Sequence, residues 1–226
     1  MKTCIMLGSN SDIAKAIKPM LQADGWAMAD WARGGLVPAV SWDLAIIAIG
    51  CVAPVGMWEA TMGAQWEECV QSNLLVPLRL LRMIWPLRRP DAKVCWFGGS
   101  NPQTIMDGYS AYNVSKMAVL KAVEQLDHES ADCTFFALGP GVTDTKIHRA
   151  TREAHWRNPR LERADRDGSF TPMEKIYGAL KWCLEQPKEV IGGRNICVSD
   201  LDRDDRDELA EFLRTDEEWF KLRRTE

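Results

Sequence analysis

The chain has 226 residues, 46% hydrophobic and 27% charged, with a formal net charge of −4. That length suits one large domain with enough core to fold without disulfide or metal staples. The acidic balance argues against a general binder of nucleic acid or of anionic membranes. Apolar runs alternate with helically spaced segments, the pattern of βα units around a parallel sheet. Residues 4–7 read as a strand running into Gly8-Ser9-Asn10-Ser11-Asp12. A helix over 13–21 follows, with Ser11 or Asp12 as its cap and Gly25 as its stop. Residues 26–29 read as a second strand and 43–49 as a buried third, ending at Gly50. The interval between those two strands is too short for a helix plus a further strand, so the fold is abbreviated there.

Residues 66–85 predict a long helix closed by Pro86, and 93–97 a strand entering Gly98-Gly99-Ser100. A helix over 111–126 and a strand over 134–138 come next, the strand ending at Gly139-Pro140-Gly141. Thr171-Pro172 opens a helix over 173–184 as cap and first helical residue, and 195–198 is a last short strand. The fold class is therefore α/β, a Rossmann-like doubly wound parallel sheet in a single domain spanning residues 1–200.

Two segments differ in composition. Residues 146–166 carry seven Lys/Arg and two of the three histidines, His148 and His155. They read either as a site for an anionic group or as a solvated face paired with the acidic tail, and both histidines read as surface residues. Residues 201–226 are densely charged yet hold a helical apolar set, Leu209, Phe212 and Leu213, then Trp219, Phe220 and Leu222. That pattern suggests a helix docked on this chain or on a partner. The 7 cysteines are scattered through apolar runs with no Cys-x-x-Cys pair and no Cys/His cluster. Buried reduced thiols are expected, with no metal site and no disulfide framework. The 10 tryptophans are dispersed and read as core or interface filler. No apolar run approaches a membrane span, and the N-terminus lacks a signal-peptide core, so a cytoplasmic protein is expected.

The chemistry centres on Tyr112-Asn113-Val114-Ser115-Lys116. On a helix, this spacing puts the Tyr112 and Lys116 side chains on one face, about one turn apart. An ammonium there would favour the phenolate and lower the tyrosine pKa, letting it exchange a proton with an alcohol or carbonyl. The strand–glycine turn–helix at the N-terminus is a place where a phosphate would meet free N–H groups. Only Gly8 of a glycine-rich fingerprint is present, however.

With these motifs in order, the chain resembles the short-chain dehydrogenases/reductases. Gly8 through Ala14 stands where that family has its glycine loop, with Asp12 and Ala14 in place of two glycines and Leu7 in place of a threonine. Ile47-Ala48-Ile49-Gly50 stands where it has Asn-Asn-Ala-Gly. Asn73, Ser100, Tyr112 and Lys116 match its catalytic set, although the Ser-to-Tyr spacing is one residue short. Pro140-Gly141 to Thr145 matches its Pro-Gly-x-x-x-Thr. The resemblance implies an NAD(P)-dependent oxidoreductase that interconverts a secondary alcohol and a carbonyl. In it, Tyr112 exchanges the proton, Ser100 holds the reacting oxygen, Lys116 lowers the tyrosine pKa and contacts the nicotinamide ribose, and Asn73 holds a relay water.

Coenzyme contacts are implied at Gly8, Ser9, Asn10, Asp12, Ile13, Gly50, Tyr112, Lys116, Pro140, Gly141, Val142, Thr143 and Thr145. Arg33, near the usual position of an arginine after the second strand, favours NADP(H) over NAD(H). Residues 146–170 fall where the family inserts its substrate cover. A small-molecule substrate and a homodimer or homotetramer built on the helices over 66–85 and 111–126 are implied. The altered glycine loop leaves one alternative, a coenzyme-binding scaffold or regulator without turnover.

Overall fold

A computed structural model describes residues 1–99, 102–202 and 205–223. In chain order the elements are β1 (Thr3–Leu7), α1 (Asp12–Ala23), β2 (Ala27–Trp31), β3 (Trp42–Ile47), α2 (Trp58–Thr61) and α3 (Ala64–Val70). A π-helical turn, Gln71–Leu75, joins α3 to α4 (Val76–Ile84), followed by β4 (Arg88–Phe97), α5 (Ser110–Glu129) and β5 (Cys133–Gly139). The remaining elements are α6 (Arg149–Glu153), α7 (Pro159–Asp167), α8 (Met173–Glu185), α9 (Lys188–Ile191), β6 (Asn195–Cys197) and α10 (Arg206–Thr215).

The described strands form one parallel sheet in the order β2-β1-β3-β4-β5-β6. The order reverses between β1 and β3, which opens a crevice at the strands' carboxyl ends. Residues 32–41 cross from β2 to β3 without a helix or a strand, as their shortness implied. This half of the sheet therefore stops at β2.

Both faces of the sheet are covered, so the inner strands are apolar throughout and their alternation sorts residues between two cores. Cys4, Met6, Leu44 and Ile46 pack with α1, α8 and α10 on one side. Ile5, Leu7, Ala45, Ile47, Val94 and Trp96 pack with α4 and α5 on the other. At about 1.5–3 kcal/mol for each large apolar side chain fully buried, these two layers supply the main drive to fold.

Three expectations change. The long helix over 66–85 is interrupted at Gln71–Leu75, where an extra residue is accommodated in a π turn. Pro172 is the cap of α8 rather than its first helical residue, and no side chain caps that end. Strand β4 starts at Arg88, earlier than its apolar run, because residues 88–92 extend the strand past the main register.

The tail docks on its own domain. Leu209, Ala210 and Leu213 of α10 are buried in the α1-side core. Arg194, 2% exposed, donates to the Leu213 and Trp219 carbonyls, each at 2.7 Å. Asn195 N–H donates to the Phe220 carbonyl at 3.0 Å.

Candidate active site

The crevice at the switch point is a cavity of about 270 Å³, walled by the loops after β1, β3, β4 and β5 and by the α5 face. Among the expected site residues, Asp12, Ile13, Gly50, Tyr112, Lys116, Pro140, Gly141, Val142, Thr143 and Thr145 line it. Gly8, Ser9, Asn10, Arg33 and Asn73 do not contribute to its walls. Ser100 lies outside the described residues.

Gly8 has φ +95°, and a Cβ there would come within 2.8 Å of the Ala48 carbonyl, so the β1 turn needs glycine to pass under the β3 loop. Ser11 then caps α1, its hydroxyl accepting from Ala14 N–H at 3.1 Å. First-turn N–H groups of such a helix have no acceptor within the helix, which suits an anion. Asp12 brings its own negative charge to that end. Its carboxylate accepts from Lys146 N–H at 2.7 Å, and Lys146 Nζ donates to the Asn10 carbonyl at 2.5 Å. Lys146 thus latches the loop after β5 to the loop after β1, across the cleft.

Tyr112 and Lys116 share one face of α5 and both border the cavity, with Lys116 Nζ 5.9 Å from the Tyr112 ring centroid. The expected depression of the tyrosine pKa by Lys116 does not occur. Burial pushes the Tyr112 phenol up to about 12. Burial also pushes the Lys116 ammonium down to about 8, which weakens it as a neighbouring charge. Lys116 Nζ donates instead to the Phe97 carbonyl at 2.7 Å. Gly99, at φ +93°, leaves open the space beside the Tyr112 hydroxyl, 3.7 Å from where a Cβ would sit.

Asn73 lies within the π turn and is fully buried, not a solvated helix residue. Its Oδ1 accepts from Cys51 N–H at 2.8 Å, and its Nδ2 donates to the Cys51 carbonyl at 3.0 Å and to Ser115 Oγ at 2.8 Å. It clamps the loop after β3 to α5. A Cβ on Gly50 would lie 3.2 Å from Asn73 Oδ1 and 3.6 Å from Lys116 Nζ, so the bare glycine keeps these groups close.

The basic segment folds over the cleft, and three of its seven cations are matched within it. Arg149 pairs with Glu153, Arg152 with Asp165, and Arg157 with Glu162, rather than with the acidic tail. Lys146 and Arg160 do line the cavity, and so does His148, which was expected on the surface. Burial lowers the His148 pKa, with Arg152 adding to the effect. Tyr109 also lines the cavity. It is buried, donates to Thr151 Oγ1 at 3.0 Å, and accepts from Asn158 Nδ2 at 3.3 Å. These bonds tie the start of α5 to the cover. The identity of Tyr109 carried no motif, so its role was not legible in the sequence.

Among the described residues no group of three or more His, Cys, Asp or Glu could hold a metal ion, and no helix is long and apolar enough to cross a membrane. The bare walls at Gly50 and Gly99 and the capped α1 end fit a dinucleotide, with Asp12 as the discordant group.

No protein-family model and no curated protein matches the sequence. Solved structures do match. The KRED1-Pglu enzyme superposes with a TM-score of 0.77 at 18% identity, over 87% of this chain and 100% of that one. A small-chain dehydrogenase in complex with NADPH gives 0.75 at 15% identity, over 87% and 95%. A short chain dehydrogenase family protein from Francisella tularensis subsp. tularensis SCHU S4 gives 0.71 at 14%, over 87% and 96%. At such identities the likeness speaks for architecture. With the strand order, the crevice and the helix carrying Tyr112 and Lys116 all in place, the chain has the Rossmann-like fold of the short-chain dehydrogenases/reductases.

Proposed function

We propose that the protein is an NAD(P)-dependent oxidoreductase that interconverts a secondary alcohol and a carbonyl on a small molecule, with NADP(H) the preferred coenzyme. The observation that carries this reading is the placement of Tyr112 and Lys116 together in the wall of the switch-point cavity. A bound nicotinamide would supply the hydride. Ser11, Ile13, Pro140, Gly141 and Thr145 would hold the coenzyme along the two facing loops, and Lys116 would reach its ribose hydroxyls. Tyr112 then donates its proton to the carbonyl oxygen as negative charge builds there, or takes it back in the oxidative direction. Water is kept from the reacting oxygen by the cover that Tyr109 and Asn158 fasten.

Arg33 supports the NADP(H) preference. It is exposed, two residues past the end of β2, while Asp30 lies inside that strand and is engaged by Lys18. A substrate with an apolar body and one anionic group suits the mostly apolar cavity, with Arg160 at its rim. Titration with NADPH and NADH should show tighter binding of NADPH. A panel of carbonyl compounds, with and without a carboxylate, should then oxidise bound NADPH, fastest where a carboxylate is present. Binding with no turnover across that panel would replace this reading by that of a coenzyme-binding scaffold, which the Asp12–Lys146 latch favours.

Asp12 gives a separate prediction. Its carboxylate would face the coenzyme phosphates and hold Lys146 away from them. Asp12→Asn should therefore tighten NADPH binding by about tenfold at low salt, less at high salt. Fluorescence titration at two ionic strengths measures this. Weaker binding by the variant would mean that Asp12 serves to shape the loop rather than to oppose the ligand.

A further inference from the structure

Behind Gly50 two thiols meet. Cys51 follows that glycine in the loop after β3 and is half-buried, while Cys69 stands on α3, one turn before Asn73, and is buried. Cys51 Sγ donates to the Ala53 carbonyl at 3.9 Å. Cys69 Sγ also donates to the Cys51 carbonyl at 3.6 Å, and Asn73 Nδ2 approaches Cys69 Sγ at 3.4 Å. The neighbouring Cys69, then Ser72, Lys116 and Arg33, hold the Cys51 thiol below its ordinary value, whereas Cys69 is pushed up. Cys4, Cys95, Cys133, Cys183 and Cys197 are buried thiols raised by desolvation. Cys51 therefore stands apart as a half-buried, acidified thiol with a second thiol bonded to its own carbonyl, an arrangement that favours reversible oxidation.

We propose that Cys51 and Cys69 form a reversible redox site whose co-substrate is a hydroperoxide and whose state controls the adjoining cleft. The Cys51 thiolate attacks the peroxide oxygen, the O–O bond breaks, and Cys51 sulfenic acid forms with release of hydroxide. The Cys69 sulfur then attacks the sulfenic sulfur, its proton leaves with the hydroxyl as water, and an S–S bond closes. The two thiols are oxidised by two electrons and the peroxide is reduced. A dithiol reverses the step. The bridge ties the loop carrying Gly50 to α3 and displaces the Cys51 backbone groups that Asn73 clamps. The effect on turnover rests on the oxidoreductase reading, whereas formation of the bridge does not.

The test treats the reduced full-length protein with hydrogen peroxide. Intact mass should fall by two hydrogens, peptide mapping should join Cys51 to Cys69, and dithiothreitol should restore the mass. Cys69→Ser should leave a dimedone-reactive sulfenic acid at Cys51, and Cys51→Ser should give neither product. Independently of any variant, alkylation of Cys51 by iodoacetamide should rise with pH, and at lower pH than alkylation of a free cysteine. A bridge between other cysteines, or a Cys51 inert to peroxide in native protein, would overturn the proposal. NADPH turnover should be lost on oxidation and return with dithiothreitol. Turnover unchanged by a mapped bridge would remove the control of the cleft, while a bridge in a protein without turnover in either state would refute only the oxidoreductase reading.

Discussion

Tyr112→Phe should lower turnover by about 10²–10⁴-fold while NADPH affinity survives. The substitution removes one hydroxyl from the cleft wall and leaves the ring's packing in place. The lost term is the proton delivered to the carbonyl oxygen in the transition state, so kcat falls and coenzyme binding does not. Burial holds the Tyr112 phenol up at about 12, so Tyr112 is protonated across the neutral range. Carbonyl reduction should therefore hold steady through that range, and alcohol oxidation, which needs the phenolate, should speed up as pH rises. Steady-state kinetics in both directions with coenzyme titration checks this. An unaltered rate in the variant would take Tyr112 out of the mechanism.

Lys116→Met should abolish most turnover and at the same time make the protein more stable. Lys116 is 4% exposed and its ammonium is pushed down to about 8 by burial. Unfolded lysine titrates near its free value, so between about 8 and 10.5 the unfolded chain binds more protons than the native one, and wild-type stability rises with pH there. Below that window the buried charge costs about 3 kcal/mol relative to a solvated lysine. Methionine fills similar space without the charge but leaves the Phe97 carbonyl without its donor, about 1–2 kcal/mol in the other direction. A net gain of about 1–2 kcal/mol is expected at neutral pH, turning into a small loss by about pH 10. Urea unfolding at pH 7 and pH 10 measures it. A variant less stable than wild type at both values would show that the Lys116–Phe97 bond outweighs the buried charge.

The sheet and its two faces could be read from the sequence because burial on both sides forces long apolar strands, and the glycine-ended strands β1, β3, β4 and β5 mark one edge. The shortened half between β2 and β3 was legible from length alone. Tyr112 and Lys116 were placed on one face by helical periodicity. Their electrostatics were not, because a pKa depends on burial and on hydrogen bonds such as Lys116 to Phe97, which come from a different strand.

Chain order and periodicity by themselves determined the main strand–helix alternation and the placing of Tyr112 and Lys116 on one helix face, since these rest on local spacing and on which runs must leave water. Tertiary structure alone decided what touches what across long separations: the Lys116–Phe97 bond, the Lys146 strap over Asp12, the Asn73 clamp and the bond from Cys69 to the Cys51 carbonyl. These join residues far apart in sequence, and folding brings them together only once the sheet has fixed the positions of its loops.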